Sequence, residues 1–379
     1  MKSGSLRASL TNCLLIYGSV QVLKIYTLFI VVISLRVKES WSNMADKRRK
    51  IFHKTYSFIV AWILLVIMFV AAILFGAADT TFEDLWHAIV GSKSSDAISV
   101  IRDIRLPREI AAIFVGAALA TAGAIMQGMT RNPLADPSLL GLTAGANAML
   151  AVKFAFFPSI SYLGTIIFCF IGALLGAAIV FGIGSVKKGG LSPYRIVLAG
   201  AAVSTFLFAL EQGIGLYFKV SKDVTMWTAG GLIGTSWAQL NMIIPFIVVG
   251  MIAAIIFSRQ LTVLSLNEEV AIGLGQKVMI VKTILFSIVI MLAGTAVALA
   301  GNLVFIGLMI PHITRAIVGT DYRFIIPMTV IIGATFMLFA DTVARTINAP
   351  YETPIIAVLA VLGLPFFLFI VRKGGSAFS

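Results

Sequence analysis

The sequence predicts an all-α, polytopic membrane protein with about ten transmembrane helices. Of its 379 residues, 59% are hydrophobic and only 12% are charged, and the mean hydropathy is +1.02. A soluble domain needs a more charged surface than this composition supplies. The apolar runs are continuous over about 20 residues, the length of a spanning helix, and they lack the period-two alternation of barrel strands.

Ten apolar segments follow residue 50, and each is expected to be one span. Their approximate limits are 56–76, 108–128, 139–157, 162–185, 196–218, 237–257, 279–300, 304–319, 324–343 and 354–371. The chain therefore divides into residues 1–50, a basic and apolar extension without an assigned function, and residues 51–379, the transmembrane domain.

The first fifty residues are ambiguous. Residues 10–35 are moderately apolar but contain Gln21 and Lys24, and they fit a signal peptide, an extra span or an interfacial helix. The segment "MADKRRKIFHK" from Met44 is typical of an ordinary start, a short basic leader before the first good span. We favour the interpretation that residues 1–43 are not part of the functional protein.

The net charge of +13 indicates membrane orientation rather than nucleic-acid binding. Basic residues concentrate in cytoplasmic loops of membrane proteins. On this rule the inner loops hold Arg36, Lys38, Lys47, Arg48, Arg49, Lys50, Lys54, Arg131, Lys187, Lys188, Arg195, Arg259, Lys277, Lys282, Arg323, Arg372 and Lys373. The outer loops hold only Lys93, Arg102, Arg105, Arg108, Lys219, Lys222 and Arg345. Both ends of the ten-helix body then face the cytoplasm.

The outer segment 76–107 ends in "IRLPRE", which is expected to begin the second span. Pro107 is tolerated in a first helical turn because its missing N–H would be unpaired there anyway. Arg105 and Arg108 lie three residues apart, near the same edge of that helix. They are either interfacial anchors or an exposed cationic contact for a partner's carboxylates. Arginines on the outer side run against the inside bias, which favours the contact.

Charge within the spans is scarce. Glu211 lies inside the fifth predicted span, and Lys153 and Asp341 lie near span ends. Acids inside the membrane often mark ion or proton routes, but one isolated glutamate is a poor relay. Small residues are frequent in the spans, which indicates close helix packing without naming a cargo.

Two segments show weak internal similarity, "ALATAGAIMQGMTRNP" (118–133) and "AVALAGNLVFIGLMIP" (296–311). Small residues and a proline match at one constant offset. On the proposed topology the first copy runs inward and the second follows an outward helix, which is the pattern expected of an inverted repeat.

Two inner segments interrupt the apolar pattern. "RNPLADP" (131–137) ends one helix and delays the next, and "KKGGLSPYR" (187–195) lies on the same side. Both are plain turns or else line the inner mouth of a pathway.

The segment "LTVLSLNEEVAIGLGQK" (261–277) predicts a short helix outside the membrane. Asn267 can cap it, Glu268 and Glu269 suit its positive end, and Gly273 and Gly275 break it. A connector needs fewer residues than this, so we expect the helix to dock a cytoplasmic partner. The chain lacks a GxxxxGK[ST] phosphate loop, so nucleotide chemistry must belong to another subunit.

These motifs together resemble the FecCD family of ABC-transporter permeases, which import ferric siderophores, haem and cobalamin. The resemblance covers residues 51–379. It is carried by "RLPR", "GAALATAGAIMQGMTRNPLADPSLLG", "LAGAAVS", "LNEEVAIGLG", "ALAGNLVFIGLMIPHITR", "DYRFIIP", "ADTVAR" and "ETPIIAVLAVLGLPFF", in that order.

The resemblance implies a permease like that of the cobalamin importer, with ten helices and a pathway at a dimer interface. It implies a second permease copy or a related permease, two cytoplasmic ATPase subunits, and an extracytoplasmic binding protein that delivers the cargo. It also implies location in the bacterial cytoplasmic membrane.

The resemblance further assigns three sets of site residues. Those expected to dock the binding protein are Arg105, Arg108 and Arg345. Those expected to couple to the ATPase are Asn267, Glu268, Glu269, Ala271 and Gly273. The cytoplasmic gate is expected at Asn132, Ser192, Pro193 and Tyr194, although Pro193 and Tyr194 stand where the cobalamin branch has small hydroxyl residues.

A metal or catalytic site is not expected in this chain. His312 in "PHITR" invites one, but the other histidines are only His53 and His87, and Cys13 and Cys169 form no ligand pattern. We therefore predict no cofactor, no enzymatic activity and no resident metal.

The leading hypothesis is the membrane subunit of an ATP-driven ferric-siderophore importer that works by alternating access. Haem or cobalamin import by the same mechanism is the alternative. A secondary transporter driven by an ion gradient is disfavoured by the scarce intramembrane charge, and an intramembrane enzyme is disfavoured because no Ser–His or His–Glu site lies at midplane. The residues do not decide between a homodimer and a heterodimer.

Overall fold

The computed structural model describes residues 47–75, 83, 86–87, 96–185, 193–229, 231–349 and 351–373, and these contain helices but no strands. We label the ten principal helices α1 to α10. They are α1 Lys47–Leu74, α2 Leu106–Thr130, α3 Leu142–Phe156, α4 Tyr162–Ser185, α5 Pro193–Tyr217, α6 Trp237–Ile256, α7 Val278–Ala300, α8 Ile306–Val318, α9 Tyr322–Thr346 and α10 Ile355–Lys373. Shorter helices are Asp96–Val100, Ser221–Ala229, Ser258–Leu266 and Glu268–Gly273.

The ten helices coincide with the ten predicted spans. Within the described residues, 7 helices are long and apolar enough to cross a membrane, and Leu142–Phe156, Ile306–Val318 and Ile355–Leu368 are shorter apolar helices. The prediction of an all-α membrane protein is confirmed. The proposed division at residue 50 stays a prediction, because most of the first fifty residues lie outside the described part of the chain.

The centre of the bundle is α2, which packs against α7, α8 and α9. Close approach depends on glycines, because a Cβ at Gly116 would overlap the backbone of Gly333 on α9, and a Cβ at Gly123 would overlap that of Gly307 on α8. α3 and α4 meet in the same way at Gly145 and Gly172. These contacts confirm the expectation of tight packing through small residues.

The second span begins earlier than "IRLPRE" predicts. The short helix Asp96–Val100 runs through a π-helical turn, Ile101–Arg105, directly into α2. The N–H of Leu106 bonds to the carbonyl of Ile101, five residues back. This wider turn comes directly before Pro107, which lacks a donor, so the helix continues across the proline instead of starting at it.

The seventh and eighth spans are separated by a break in the backbone. α7 ends at Ala300, Gly301 has φ +70°, and Phe305 has φ +67° immediately before α8. The two segments that resemble each other in sequence therefore differ locally, since 118–130 is continuous helix and 296–311 contains this break. The inverted repeat stays a prediction.

Residues that the predicted topology places on the same side lie together at one end of the bundle, and the orientation in the membrane stays a prediction. At the end we call inner, Lys54 lies 3.8 Å from the ring centroid of Phe324, near the starts of α1 and α9. At the outer end, the indole N–H of Trp237 donates to the carbonyl of Arg102 at 3.0 Å. Each end also carries a charged cluster.

Candidate functional site

The outer cluster is built around Arg108, in the first turn of α2. Its Nε lies 3.1 and 3.0 Å from the carboxylate oxygens of Asp341 on α9, and its Nη2 lies 3.0 Å from Oδ1. Its Nη1 donates to Glu352 Oε1 at 2.8 Å, just before α10. One guanidinium thus joins three segments through charge-assisted hydrogen bonds.

Arg345 completes the cluster from the last turn of α9. It pairs with Glu109 of α2, and its Nε lies 3.0 Å from Asp341 Oδ2, one helical turn back. Its Nη2 also donates to the carbonyl of Ala72 at 3.0 Å. Asp341 is therefore shared by Arg108 and Arg345.

Arg105 lies beside them and contacts the end of α1. Its Nη1 donates to the carbonyl of Ile73 and lies 3.4 Å from that of Leu74. The last carbonyls of a helix have no partner within the helix and carry partial negative charge. Arg105 and Arg345 therefore cap α1 in addition to their other contacts.

The structure does not place Arg105 and Arg108 as the exposed contact that the sequence favoured over interfacial anchors, and Arg345 is buried with them. Arg105, Arg108 and Arg345 are 5%, 8% and 6% exposed. They are buried because the start of α2 and the end of α9 pack together and bring Glu109 and Asp341 against them.

The cluster balances its formal charge. Arg105, Arg108 and Arg345 face three carboxylates, those of Glu109, Asp341 and Glu352. The Glu352 side chain is 35% exposed, whereas those of Glu109 and Asp341 are fully buried. An approaching partner would meet the cluster chiefly through Glu352.

Sequence reasoning missed these acids as partners. Glu352 is 244 residues from Arg108, so spacing along the chain does not connect them. Two local signals were available: Glu109 adjoins Arg108, and Asp341 precedes Arg345 by one helical turn.

At the inner end, "RNPLADP" is a structured turn. Asn132 Oδ1 accepts from the N–H of Leu134 at 2.9 Å, and Asp136 Oδ1 accepts from that of Ser138 at 2.8 Å. Burial raises the pKa of Asp136, although its bond to Ser138 opposes that shift. The prolines interrupt the helical hydrogen bonding here, and the side chains of Asn132 and Asp136 accept from the backbone N–H groups that remain. This explains why polar residues interrupt the apolar pattern at this position.

The predicted short helix is present at Glu268–Gly273, and Asn267 caps it by accepting from the N–H of Glu269 at 3.4 Å. Gly273 is its last residue, Gly275 follows with φ +79°, and Ala271 is fully buried. Three large apolar side chains are exposed here, those of Val270, Ile272 and Leu274. Such a patch on a short helix is typical of a contact surface.

The two inner segments touch each other. Arg131 Nη1 donates to Asn267 Oδ1 at 3.3 Å, and its Nη2 lies 3.7 Å from Glu268 Oε1. The same carboxylate oxygen lies 2.5 Å from the Nζ of Lys282 on α7. Sequence reasoning assigned no role to Arg131 or Lys282.

A second inner contact joins the helix Ser258–Leu266 to the start of α9. The N–H of Tyr322 donates to Thr262 Oγ1 at 3.0 Å, and Thr262 Oγ1 donates to Asp321 Oδ1 at 3.2 Å. Hydrogen bonds from Arg323 hold the pKa of Asp321 below its usual value.

The structure describes only part of the predicted gate. Asn132 lies in the turn after α2, and Pro193 and Tyr194 begin α5. Ser192 lies outside the described residues.

His312 lies within α8, where its Nδ1 is 3.0 Å from the carbonyl of Leu308. Within the part of the chain that the structure describes, no group of three or more His, Cys, Asp or Glu side chains is placed to hold a metal ion. His312 is buried and packs 6.4 Å, centroid to centroid, from Phe366.

The described residues form a close-packed bundle of apolar helices, seven of them long enough to cross a membrane, with a charged cluster at each end. The chain belongs to the FecCD transport family, whose model matches residues 64–373.

Three known proteins illustrate the relationship. The chain is 44% identical over 325 residues to the iron(3+)-hydroxamate import system permease protein FhuB of Bacillus subtilis (strain 168), covering 84% of this chain and 85% of that protein. It is 36% identical to the hemin transport system permease protein HmuU of Yersinia pestis, covering 82% and 93%. It resembles the solved inward-facing structure of a metal-chelate type ABC transporter, with TM-score 0.73, 27% identity and coverage of 84% and 99%.

Family membership establishes the general role. The chain is the membrane subunit of an ABC importer for iron-siderophore, haem or cobalamin, and it resides in the bacterial membrane. Importers of this family work with an ATPase and a substrate-binding protein. The alternative of a secondary transporter driven by an ion gradient is not favoured.

Proposed function

We propose that this permease carries ferric siderophores, with a hydroxamate chelate as the first candidate. The observation that carries the proposal is the 44% identity to a permease named for iron(3+)-hydroxamate import, against 36% to one named for hemin. Iron then arrives already chelated, so the permease needs no iron ligands of its own.

The cargo is tested with a deletion strain that expresses this chain beside its native partner subunits. Radiolabelled ferric hydroxamate, haem and cobalamin are supplied separately, and ATP-dependent accumulation is measured for each. Uptake of the hydroxamate alone supports the proposal. Uptake of haem or cobalamin but not of the hydroxamate would instead support the corresponding alternative cargo.

We propose that residues 267–273 couple the permease to its ATPase. The exposed apolar side chains of Val270, Ile272 and Leu274 and the acidic first turn at Glu268 and Glu269 support this role. ATP binding and hydrolysis in the partner would move this helix, and the dimer would then change from outward to inward opening.

Charge reversal at Glu269 tests the coupling role. Glu269→Arg is expected to reduce retention of the ATPase in a pulldown and to reduce uptake, whereas Arg323→Glu, another inner-end reversal, should retain the ATPase. Normal ATPase retention and normal uptake by the Glu269 variant would refute the assignment.

We propose that the binding protein docks at the outer end, against the cluster of Arg105, Arg108 and Arg345. The proposal is supported by their grouping at one edge of the bundle and by the partly exposed Glu352 that shares Arg108. A docking carboxylate would have to compete with Glu352 for that guanidinium.

Substitutions at Glu352 and at Arg108 test docking at this cluster. Glu352→Gln is expected to strengthen binding-protein association at low salt, because it removes the competing carboxylate. Arg108→Glu, the reversal, should weaken it. Unchanged association in both variants would refute docking at this cluster.

We propose that Asn132, with Ser192, Pro193 and Tyr194, forms the inner gate. The hydrogen bond from the N–H of Leu134 to Asn132 Oδ1 stiffens this turn, which supports a gate at this position. Asn132→Asp preserves that acceptor and adds a charge, so it should reduce uptake while leaving thermal stability unchanged. Normal uptake by this variant would argue against the gate.

A further inference from the structure

We propose that Arg131 fastens the inner end of α2 to the helix Glu268–Gly273, so that the two move as one body when the ATPase acts. The inference rests on the coupling role proposed above. A movement of that helix would reach the centre of the bundle through Arg131.

The first support is where the Arg131 side chain ends. Its two terminal nitrogens meet Asn267 Oδ1 at 3.3 Å and Glu268 Oε1 at 3.7 Å. Asn267 and Glu268 are the cap and the first residue of the short helix. Arg131 therefore contacts that helix at its beginning, where the partial positive charge of the helix is offset by these acceptors.

The second support is the backbone of Arg131. This residue ends α2 in the left-handed conformation, with φ +53° and ψ +30°. Glycine adopts that conformation without steric cost, and an arginine does not. Strained positions of this kind persist where the surroundings fix them, and here the long side chain bridges two segments that are 136 residues apart in the chain.

The third support is that Glu268 is held from two sides. Lys282, buried near the start of α7, lies 2.5 Å from the same oxygen that faces Arg131. One carboxylate thus connects the short helix to both α2 and α7. Displacing the short helix would pull on both membrane helices at their inner ends.

The position of α2 decides what such a pull can do. This helix packs against α7, α8 and α9, and most of its 25 residues are buried. Its glycine contacts leave no space for a local shift of the helix, because Gly116 and Gly123 lie directly against neighbouring backbones. A close-packed helix transmits displacement along its length.

The Arg131 pair itself contributes little stability. The side chains of Arg131 and Glu268 are 36% and 34% exposed, and exposed pairs are screened by water and salt. A variant without the pair should therefore fold and assemble. Loss of coupling can then be separated from loss of structure.

The experiment uses the whole importer, reconstituted in vesicles with its ATPase and binding protein and supplied with radiolabelled ferric hydroxamate. Uptake and ATP hydrolysis are measured together. Arg131→Gln is expected to keep the ATPase bound and hydrolysing, while uptake per ATP falls by about tenfold. Arg131→Gly, which relieves the backbone strain but removes the same contact, should show the same fall.

Arg323→Gln is the matched control. Arg323 is also an exposed inner-end arginine, but its partner Asp321 lies only two residues away, so it joins no separate helices. Its uptake per ATP should stay within about twofold of the parent. Parental uptake per ATP in Arg131→Gln would overturn the inference.

Cross-linking gives an independent readout. Cysteines replace Arg131 and Asn267 in a chain with Cys13→Ser, and a short bifunctional thiosulfonate joins them. If the two segments move together, cross-linking should restore most of the uptake that the paired substitutions removed. Complete linkage that abolishes uptake would overturn the inference, even where Arg131→Gln fails to assemble.

The same measurements separate this inference from the coupling role. If Glu269→Arg loses the ATPase while Arg131→Gln retains normal uptake per ATP, only the inference about Arg131 fails. If Glu269→Arg retains both the ATPase and normal uptake, the coupling role itself fails.

Discussion

The two ends of α2 carry charged clusters of opposite character. At the outer end Arg108, Glu109 and Asp341 are buried and closely bonded. At the inner end Arg131 and Glu268 are half-exposed, and the distance between them is longer. The difference indicates that the outer cluster holds the fold together, whereas the inner cluster is open to rearrangement and suits a moving contact.

The largest effect is expected from Asp341→Ala. This substitution leaves Arg108 and Arg345 without the carboxylate they share, and breaking a buried ion pair typically costs about 3–5 kcal/mol. Thermal unfolding in detergent should show the loss. Glu352→Ala removes the other, partly exposed partner of Arg108 and should cost clearly less; equal losses would contradict the contrast between buried and exposed members.

The packing of α2 between the clusters gives the next effect. Gly123→Ala forces a Cβ against the backbone of Gly307, and overpacking of this kind costs about 1–3 kcal/mol. Gly182→Ala is the control, because a Cβ there meets no described atom within 4 Å. If both substitutions leave the unfolding temperature unchanged, α2 is not closely held at this point.

Removing the inner pair should cost little stability. Arg131→Gln is expected to lower the free energy of unfolding by less than about 1 kcal/mol, since exposed ion pairs are worth about 0–1 kcal/mol. The loss should shrink further at high salt. A loss as large as that of Asp341→Ala would show that the inner cluster is as firmly fixed as the outer one.

The smallest effect concerns pH at the inner end. Because Asp321 has a lowered pKa in the folded protein, its charge stabilises the fold above the unfolded value of about 3.9, and this contribution is lost as the pH falls through the folded value. Asp321→Asn should therefore be slightly less stable than the parent at neutral pH and equal to it in acid. A difference in stability between the variant and the parent that widens in acid would contradict this expectation.

The spans and the short helix were predictable because they depend on local patterns. Continuous apolar runs placed all ten principal helices, and Asn267, Gly273 and Gly275 marked the ends of the helix outside the membrane. The start of the second span was predicted too late, since a π-helical turn carries the helix past Pro107.

The chemistry of the clusters was less predictable because it depends on contacts between distant segments. The outer position of Arg105 and Arg108 favoured an exposed contact, yet both are buried, Arg108 against Asp341 of α9 and Arg105 against the last carbonyls of α1. Arg131 was seen only as part of a turn, because its partners Asn267 and Glu268 are far away in the chain. Spacing along the sequence reveals side-chain pairs within one helix, whereas pairs between distant segments depend on how the helices pack.

The central claim is that this chain is a conduit driven by a separate ATPase. The direct measurement is uptake of radiolabelled ferric hydroxamate into vesicles that contain the purified chain alone or the chain with its ATPase and binding protein. We predict neither ATP hydrolysis nor accumulation by the chain alone, and ATP-dependent accumulation by the complete importer. Accumulation against a gradient, or ATP hydrolysis, by the chain alone would contradict the claim.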